Sequence, residues 1–319
     1  MDTKICVIGG GRWGQNHIKT LHQMGKLSGI VEANRLRLDE LLSQYPVEGF
    51  TDLDEATANG FDGYIVATPA ETHYPIGKKL LEQGYNVLIE KPLALSSEHS
   101  KELVDIAVRT DASLMVGHLL LFHPAIRKIK EVIDSGKLGK LQYVYSTRLN
   151  LGTIRTEENV FWSFAPHDIS VLGYFIGSTA DHIEAKGVKF LQDDIYDMTI
   201  AQLTYPDNVH AHIFVSWLHP FKEQRLVVIG SEGMISFDDA SMDKNITYYN
   251  KKVEWTLGKP AIIGEPDETI PYDKAMPLVE ELTYFIDHLG GNIAIADGRS
   301  GHEVVKVLET VQQLIDQEK

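Results

Sequence analysis

At 319 residues the chain exceeds the usual span of one compact core, so two domains are expected. Its 43% hydrophobic and 24% charged residues describe an ordinary globular protein and exclude a disordered or fibrous one. A net charge of -15 argues against nucleic acid or an anionic membrane surface as partner, because both are bound through basic patches.

The chain opens Met1-Asp2-Thr3-Lys4 and enters an apolar run at once, leaving no room for a signal peptide; with no apolar stretch near the ~20 residues that span a bilayer, the expected location is the cytoplasm. That run, 4–8, reads as a strand and contains the single cysteine, Cys6, so neither an intramolecular disulfide nor a cysteine-based metal site is available. A helix follows over 13–24, a strand over 27–32, a helix over 35–44, a short strand near 50–51 and a brief helix over 53–58. Strands at 63–67, 85–90 and 114–117 alternate with helices at 73–83 and 96–109, the second capped by Ser96. Such alternation predicts a parallel sheet wound with helices.

After a helix from Pro124 to about Ser135 the texture changes. Strand-like runs at 140–149, 181–189, 198–205, 209–217, 223–230 and 233–238 follow without regular intervening helices, apart from one at 166–176, which predicts a mostly antiparallel sheet open on one face. Helices at 278–289 and 301–317 close the chain. The expected division is a Rossmann dinucleotide-binding domain over 1–122 and an α/β domain over 123–319, which would bind substrate and form oligomers.

Gly9-Gly10-Gly11-Arg12-Trp13-Gly14 fits G-x-G-x-x-G directly after the first strand. Gly9 permits the turn, Gly11 lets backbone approach a pyrophosphate, and Gly14 allows the helix to pack closely on the strand, with Arg12 and Trp13 beside the ligand. Glu32 ends the second strand about 20 residues on, where a carboxylate bonds the adenosine ribose and disfavours a 2'-phosphate. NAD is therefore expected; Arg35, a residue type that accommodates a 2'-phosphate, leaves NADP as the second choice. Thr68, Pro69 and His73 follow the fourth strand on the ligand edge, where His73 either meets the cofactor or merely begins a helix.

Glu90-Lys91-Pro92 ends the fifth strand on the same edge. A lysine there can hydrogen-bond a substrate hydroxyl beside the nicotinamide, although a strand-end lysine taken alone is more often a solvated charge. Together with the glycine turn, Ala67-Thr68-Pro69 with His73, Gly117 with Phe122 and Pro124-Ala125, and Asp297-Gly298, this element resembles the Gfo/Idh/MocA family of oxidoreductases over nearly the whole chain.

The resemblance implies oxidation or reduction of sugar-type hydroxyls, with Lys91 as the motif lysine and a cis peptide before Pro92. It also implies a catalytic histidine from an Asp-x-x-x-His element at a helix start, which here falls on His167, with Ser163 in place of the aspartate. An imidazole suits proton transfer near neutral pH. His118 either touches substrate or ends a strand. Arg148, Asn150, Arg155, Asn159 and Trp162 are candidates for substrate contact, the arginines being suited to phosphate and otherwise solvated or ion-paired.

This stretch looks like family members of amino-sugar and surface-polysaccharide synthesis, some of which oxidise carbon 3 of a UDP-N-acetylhexosamine. Three other readings stand beside that one: a dehydrogenase of a free sugar or inositol, an NADP-linked keto-sugar reductase, and a catalytically silent NAD-binding regulator. His210 and His212 share a strand face without a third ligand, so no metal is expected. A homodimer or homotetramer through the C-terminal sheet is expected from the family.

Overall fold

Short runs of β-branched and aliphatic residues, buried on both faces, form the parallel sheet that the sequence pattern calls for. In the computed structural model, which describes residues 3–317, the first elements are β1 (Ile5–Ile8), α1 (Arg12–Gln23), β2 (Leu27–Val31), α2 (Arg35–Gln44), β3 (Glu48–Phe50) and α3 (Leu53–Thr57). They continue with β4 (Gly63–Val66), α4 (His73–Glu82), β5 (Asn86–Glu90), α5 (Ser97–Thr110) and β6 (Leu114–Gly117). The strands pair in parallel in the order β3-β2-β1-β4-β5-β6, a doubly wound sheet whose order reverses beside β1. That reversal brings the carboxyl ends of β1, β2, β4 and β5 to one ligand-binding edge. Cys6 lies in the middle of β1 with no exposure, and burial pushes its thiol far above the ordinary range.

A second set begins with α6 (Pro124–Asp134), β7 (Leu141–Leu149), α7 (Val160–Ile176), β8 (His182–Val188), β9 (Met198–Tyr205), β10 (Val209–Ser216), β11 (Glu223–Gly230) and β12 (Met234–Asp238). It ends with β13 (Ile246–Tyr249), β14 (Lys251–Thr256), β15 (Lys259–Gly264) and β16 (Glu268–Ile270). Eight of these strands form a mixed sheet in the order β16-β13-β12-β11-β7-β10-β9-β8. All its pairs are antiparallel except β7 with β10. The strands alternate buried and partly exposed residues, as one covered face requires, and α7 packs against β7, β9 and β10. β14 and β15 stand apart as a two-stranded ribbon.

Two helices follow, α8 (Pro277–Asp287) and α9 (Gly298–Gln317). The chain forms two compact units, one made of the chain through Phe122 with Ala275–Lys306, the other of His123–Lys274 with the chain from Val307 onwards. A single division at 122 therefore does not describe residues 275–306, which pack with the nucleotide-binding sheet. The Val116 amide donates to the Ala296 carbonyl at 2.8 Å and Met115 bridges Asp297, so this segment borders β6.

Two further expectations need correction. The helix expected at 166–176 begins at Val160, because the Asn159 side chain accepts from the Phe161 and Trp162 amides and caps it, leaving Pro166 inside the helix. β13 to β16 had no counterpart in the sequence reading; β14 and β15 are mostly exposed and lack the in-out alternation that marks a half-buried strand.

Asp197, fully buried at the start of β9, accepts from the Phe190 and Leu191 amides at 2.6 and 2.8 Å and from the buried Trp217 indole. Asp197→Ala leaves three donors without that acceptor, and thermal or urea unfolding is expected to show a loss of about 3 kcal/mol.

Candidate active site

The glycine turn is built by close approach. Gly9 has φ of 99°, a region that favours glycine, and a side chain there would come within 2.7 Å of the Ala67 carbonyl. At Gly14 a Cβ would lie 1.8 Å from the Gly9 carbonyl oxygen, so α1 reaches β1 only because Gly14 has none. Gly11 faces open space and caps α1 without a side-chain hydrogen bond, which leaves the first-turn amides aimed outward. A helix N-terminus in that state carries unpaired donors and the positive end of its dipole, the arrangement that holds a pyrophosphate.

Glu32 lies beside this turn. Its two oxygens accept from the Gly10 amide at 2.8 Å and the Asn34 amide at 2.9 Å, so backbone fixes the carboxylate beside the glycine turn. Arg35 is exposed and paired with Asp39 along α2, while Arg12 and Trp13 are exposed on the first turn of α1. The donors and the fixed carboxylate suit the diphosphate and ribose of NAD.

His73 is buried, with Nδ1 2.7 Å from the Pro92 carbonyl and Nε2 2.9 Å from the Thr68 carbonyl, so one ring ties the loop after β4 to the loop after β5. Thr68 is held in turn by the Thr72 hydroxyl at 2.7 Å, and Pro69 by the same hydroxyl through its carbonyl. The Lys91-Pro92 peptide is cis, as the resemblance implied.

Behind Lys91 stands a buried carboxylate held by a histidine. Glu90 Oε1 lies 2.7 Å from His17 Nε2, and Glu90 Oε2 accepts the Lys91 amide at 3.2 Å. Burial opposes ionisation of Glu90, but the His17 hydrogen bond and charge, with Lys91, outweigh it and hold the carboxyl below its usual range. His17 went unremarked in the sequence reading, although it falls one helical turn after Gly14 and so shares its buried face. His118 is only 1% exposed, which places it beneath the surface and not on a substrate-facing wall. Burial lowers its pKa to about 4, against the upward pull of Glu90, which the still smaller effect of Lys91 partly offsets.

In the second unit α7 carries the histidine. His167 is half-buried and lies well inside the helix, not at its start. Pro166 offers no amide to the Trp162 carbonyl, so the helix ladder is broken one residue before it. Trp162 is half-buried in the first turn. Asp168, given no role of its own in the sequence reading, is buried and anchors this part of the helix to β7. It receives the Ser146 hydroxyl at 2.6 Å and a two-pronged contact from Arg148, Nε at 3.1 Å and Nη2 at 3.0 Å.

Arg148 is therefore committed to Asp168, and Asn159 is committed to capping α7 and to Gln312. Both serve architecture where substrate contact was expected. Asn150 is half-buried just past β7, and Arg155 is exposed with Glu158 nearby. Ser163 is buried where the family aspartate would be, and the nearby acid, Asp168, binds Ser146 and Arg148. His212 packs on Tyr145 and bonds Tyr143, and no cluster of three metal-ligating side chains occurs among the described residues.

A nucleotide-binding edge of this form, with a lysine at the end of the fifth strand, defines an NAD-dependent oxidoreductase acting on CH-OH groups. The chain belongs to the Gfo/Idh/MocA family: residues 3–118 match its oxidoreductase family, NAD-binding Rossmann fold model, and 126–236 its C-terminal domain model.

Among relatives, UDP-N-acetylglucosamine 3-dehydrogenase of Acidithiobacillus ferrooxidans is 23% identical over 97% of this chain and 96% of its own. A solved structure of that enzyme, GnnA, superposes with a TM-score of 0.87 at 22% identity, covering 99% and 98% of the two chains. Inositol 2-dehydrogenase of Corynebacterium glutamicum is 26% identical over 57% of each chain. The WlbA dehydrogenase of Bordetella pertussis, solved with NADH and UDP-GlcNAcA, superposes at 0.81 with 18% identity over 100% and 98% of the chains.

Two outcomes follow. Gly14→Ala forces α1 off β1, and NADH binding followed by fluorescence is expected to weaken at least about tenfold, with a stability loss of roughly 1–3 kcal/mol. His118 is neutral when folded at neutral pH, whereas the unfolded chain takes up its proton below 6.5, so stability is lost as pH falls from 6.5 towards 4. His118→Leu should flatten that acid limb by roughly 3 kcal/mol in chemical denaturation across the same range.

Proposed function

We propose that the chain oxidises a ring hydroxyl of a sugar-type substrate, and that this substrate is a UDP-N-acetylhexosamine oxidised at carbon 3. The observation that carries the chemistry is Lys91 at the carboxyl end of β5, backed by the ionised, His17-bound Glu90. The substrate class is favoured by the UDP-N-acetylglucosamine 3-dehydrogenase, which matches this chain almost end to end. Inositol is the second reading, favoured by the inositol 2-dehydrogenases that match over part of the chain.

Gly9, Gly11, Gly14 and the first turn of α1, with Arg12 and Trp13, hold the dinucleotide, and Glu32 takes the ribose. Arg35 flanks that pocket, while Thr68, Pro69, His73, Glu90 and Lys91 form its far edge. When bound, NAD supplies the hydride acceptor. Lys91 hydrogen-bonds the substrate oxygen and stabilises the negative charge that grows on it as the hydroxyl gives up its proton and the carbon its hydride. His167 accepts the hydroxyl proton. With Ser163 in place of an acid, no carboxylate at that position orients the imidazole. Asn150, Arg155 and Trp162 select the substrate.

In this reading the enzyme is cytoplasmic, in keeping with the absence of any helix in the described residues long and apolar enough to cross a membrane. It assembles as a homodimer or homotetramer through the sheet face that bears Tyr143, Tyr145 and His212.

NADH formation measured with UDP-N-acetylglucosamine, free hexoses and inositols tests the assignment. Turnover is expected with the nucleotide sugar, and Lys91→Ala and His167→Ala should each lower kcat by about 10²–10⁴. His167→Ala should leave NADH affinity within about threefold of wild type. Turnover of inositol with no response to UDP-sugars replaces the first reading by the second.

A further inference from the structure

Behind the Glu-Lys-Pro element, the nucleotide-binding unit buries more titratable groups than the proposed chemistry uses. Glu281, on α8, is 1% exposed, and neither of its carboxyl oxygens has a hydrogen-bond partner within the protein. His17 Nδ1 and both ring nitrogens of His118 share that condition. Helix α8 packs on α1, which carries His17, and on the turn Leu119–Phe122, which directly follows His118. Glu90 pairs across β5 and β6 with Gly117, where a Cβ would fall 2.9 Å from Glu90 Oε2. The three elements that surround Glu90 thus each present a buried polar side chain with unmet hydrogen-bonding capacity.

Buried polar atoms without protein partners are normally bridged by ordered water. We propose that Glu281 is a positioning residue for Lys91: as a hydrogen-bond donor it closes, with His17 and His118, a water-bridged cluster around Glu90 that fixes the Glu-Lys-Pro element. This deepens the reading of Lys91 given above and rests on it.

A carboxyl group donates only when it carries its proton. Burial, and then the nearby charge of Glu90, raise the Glu281 pKa well above the ordinary carboxylate value. The charged group that acts on it is Glu90 from β5, which in turn meets His17 from α1, Lys91 and, from the loop after β6, His118; Arg12, Lys19 and His22 lie on the exposed side of α1, and Leu119–Phe122 is apolar. The Lys91 amide donates to Glu90, so a displaced Glu90 carries the lysine with it.

The sign of the pH dependence follows. Between 4.5, the ordinary value, and the raised folded value, the native chain holds a proton that the unfolded chain has released, so stability falls as pH rises. Glu281→Gln keeps the shape and a donor without the titration, whereas Glu281→Leu keeps bulk and removes every hydrogen bond.

Thermal unfolding of the full chain from pH 5 to 8.5 should show Glu281→Gln gaining several degrees over wild type as pH rises. Competitive acetylation of Lys91, read by peptide mass, should change at least about threefold in Glu281→Leu and return towards wild type in Glu281→Gln. A difference between wild type and Glu281→Gln that does not vary with pH, or the same Lys91 labelling in all three proteins, overturns the inference. Neither measurement needs turnover, so failure to oxidise any sugar sinks only the assigned reaction.

Discussion

A carboxylate taken out of water must be matched by charge and hydrogen bonds, and the nucleotide-binding unit is organised around that demand at Glu90. Its side chain points across β6, where Gly117 leaves room for it, and it meets His17 from α1. The same α1 begins at the glycine turn and approaches β1 only because Gly14 has no side chain. The glycine turn and the Glu-Lys-Pro element are therefore both tied to one helix, anchored at its first turn by steric closeness and at its second by the His17–Glu90 hydrogen bond. A buried pair of this kind is weak as a source of net stability and strong as a constraint, since Glu90 without its partner would be an uncompensated buried charge.

The second unit solves an analogous problem with a different donor. Asp168 would be costly in its buried setting, and Arg148 with Ser146 satisfies it from β7. The neighbouring His167 thereby gains a fixed helix register. Pro166, just before it, opens the helix ladder at the one place where the proposed proton acceptor sits.

Much of this was legible in the sequence because local pattern and tertiary role coincide. The alternation of buried runs and helices and the Ser96 cap read correctly, since each depends on neighbours within one supersecondary unit. Asn159 and Arg148 misled, because a polar stretch ahead of a helix looks like a binding loop until the cap and the cross-strand partner are seen. His17 and Glu281 escaped notice for the same reason: a charged residue on a helix is ordinarily solvated, and only the packing of α1 and α8 buries these two. The ribbon of β14 and β15 was invisible because its residues face water on both sides.

The lone thiol in the central strand has a practical corollary. Cys6 is shielded on all sides and far from its thiolate form, so oxidants and alkylating reagents have no route to it while the sheet is closed. Its chemical trapping then reports, without any engineered probe, how often the nucleotide-binding unit breathes open, and a bound dinucleotide that tightens this unit registers as a slower clock.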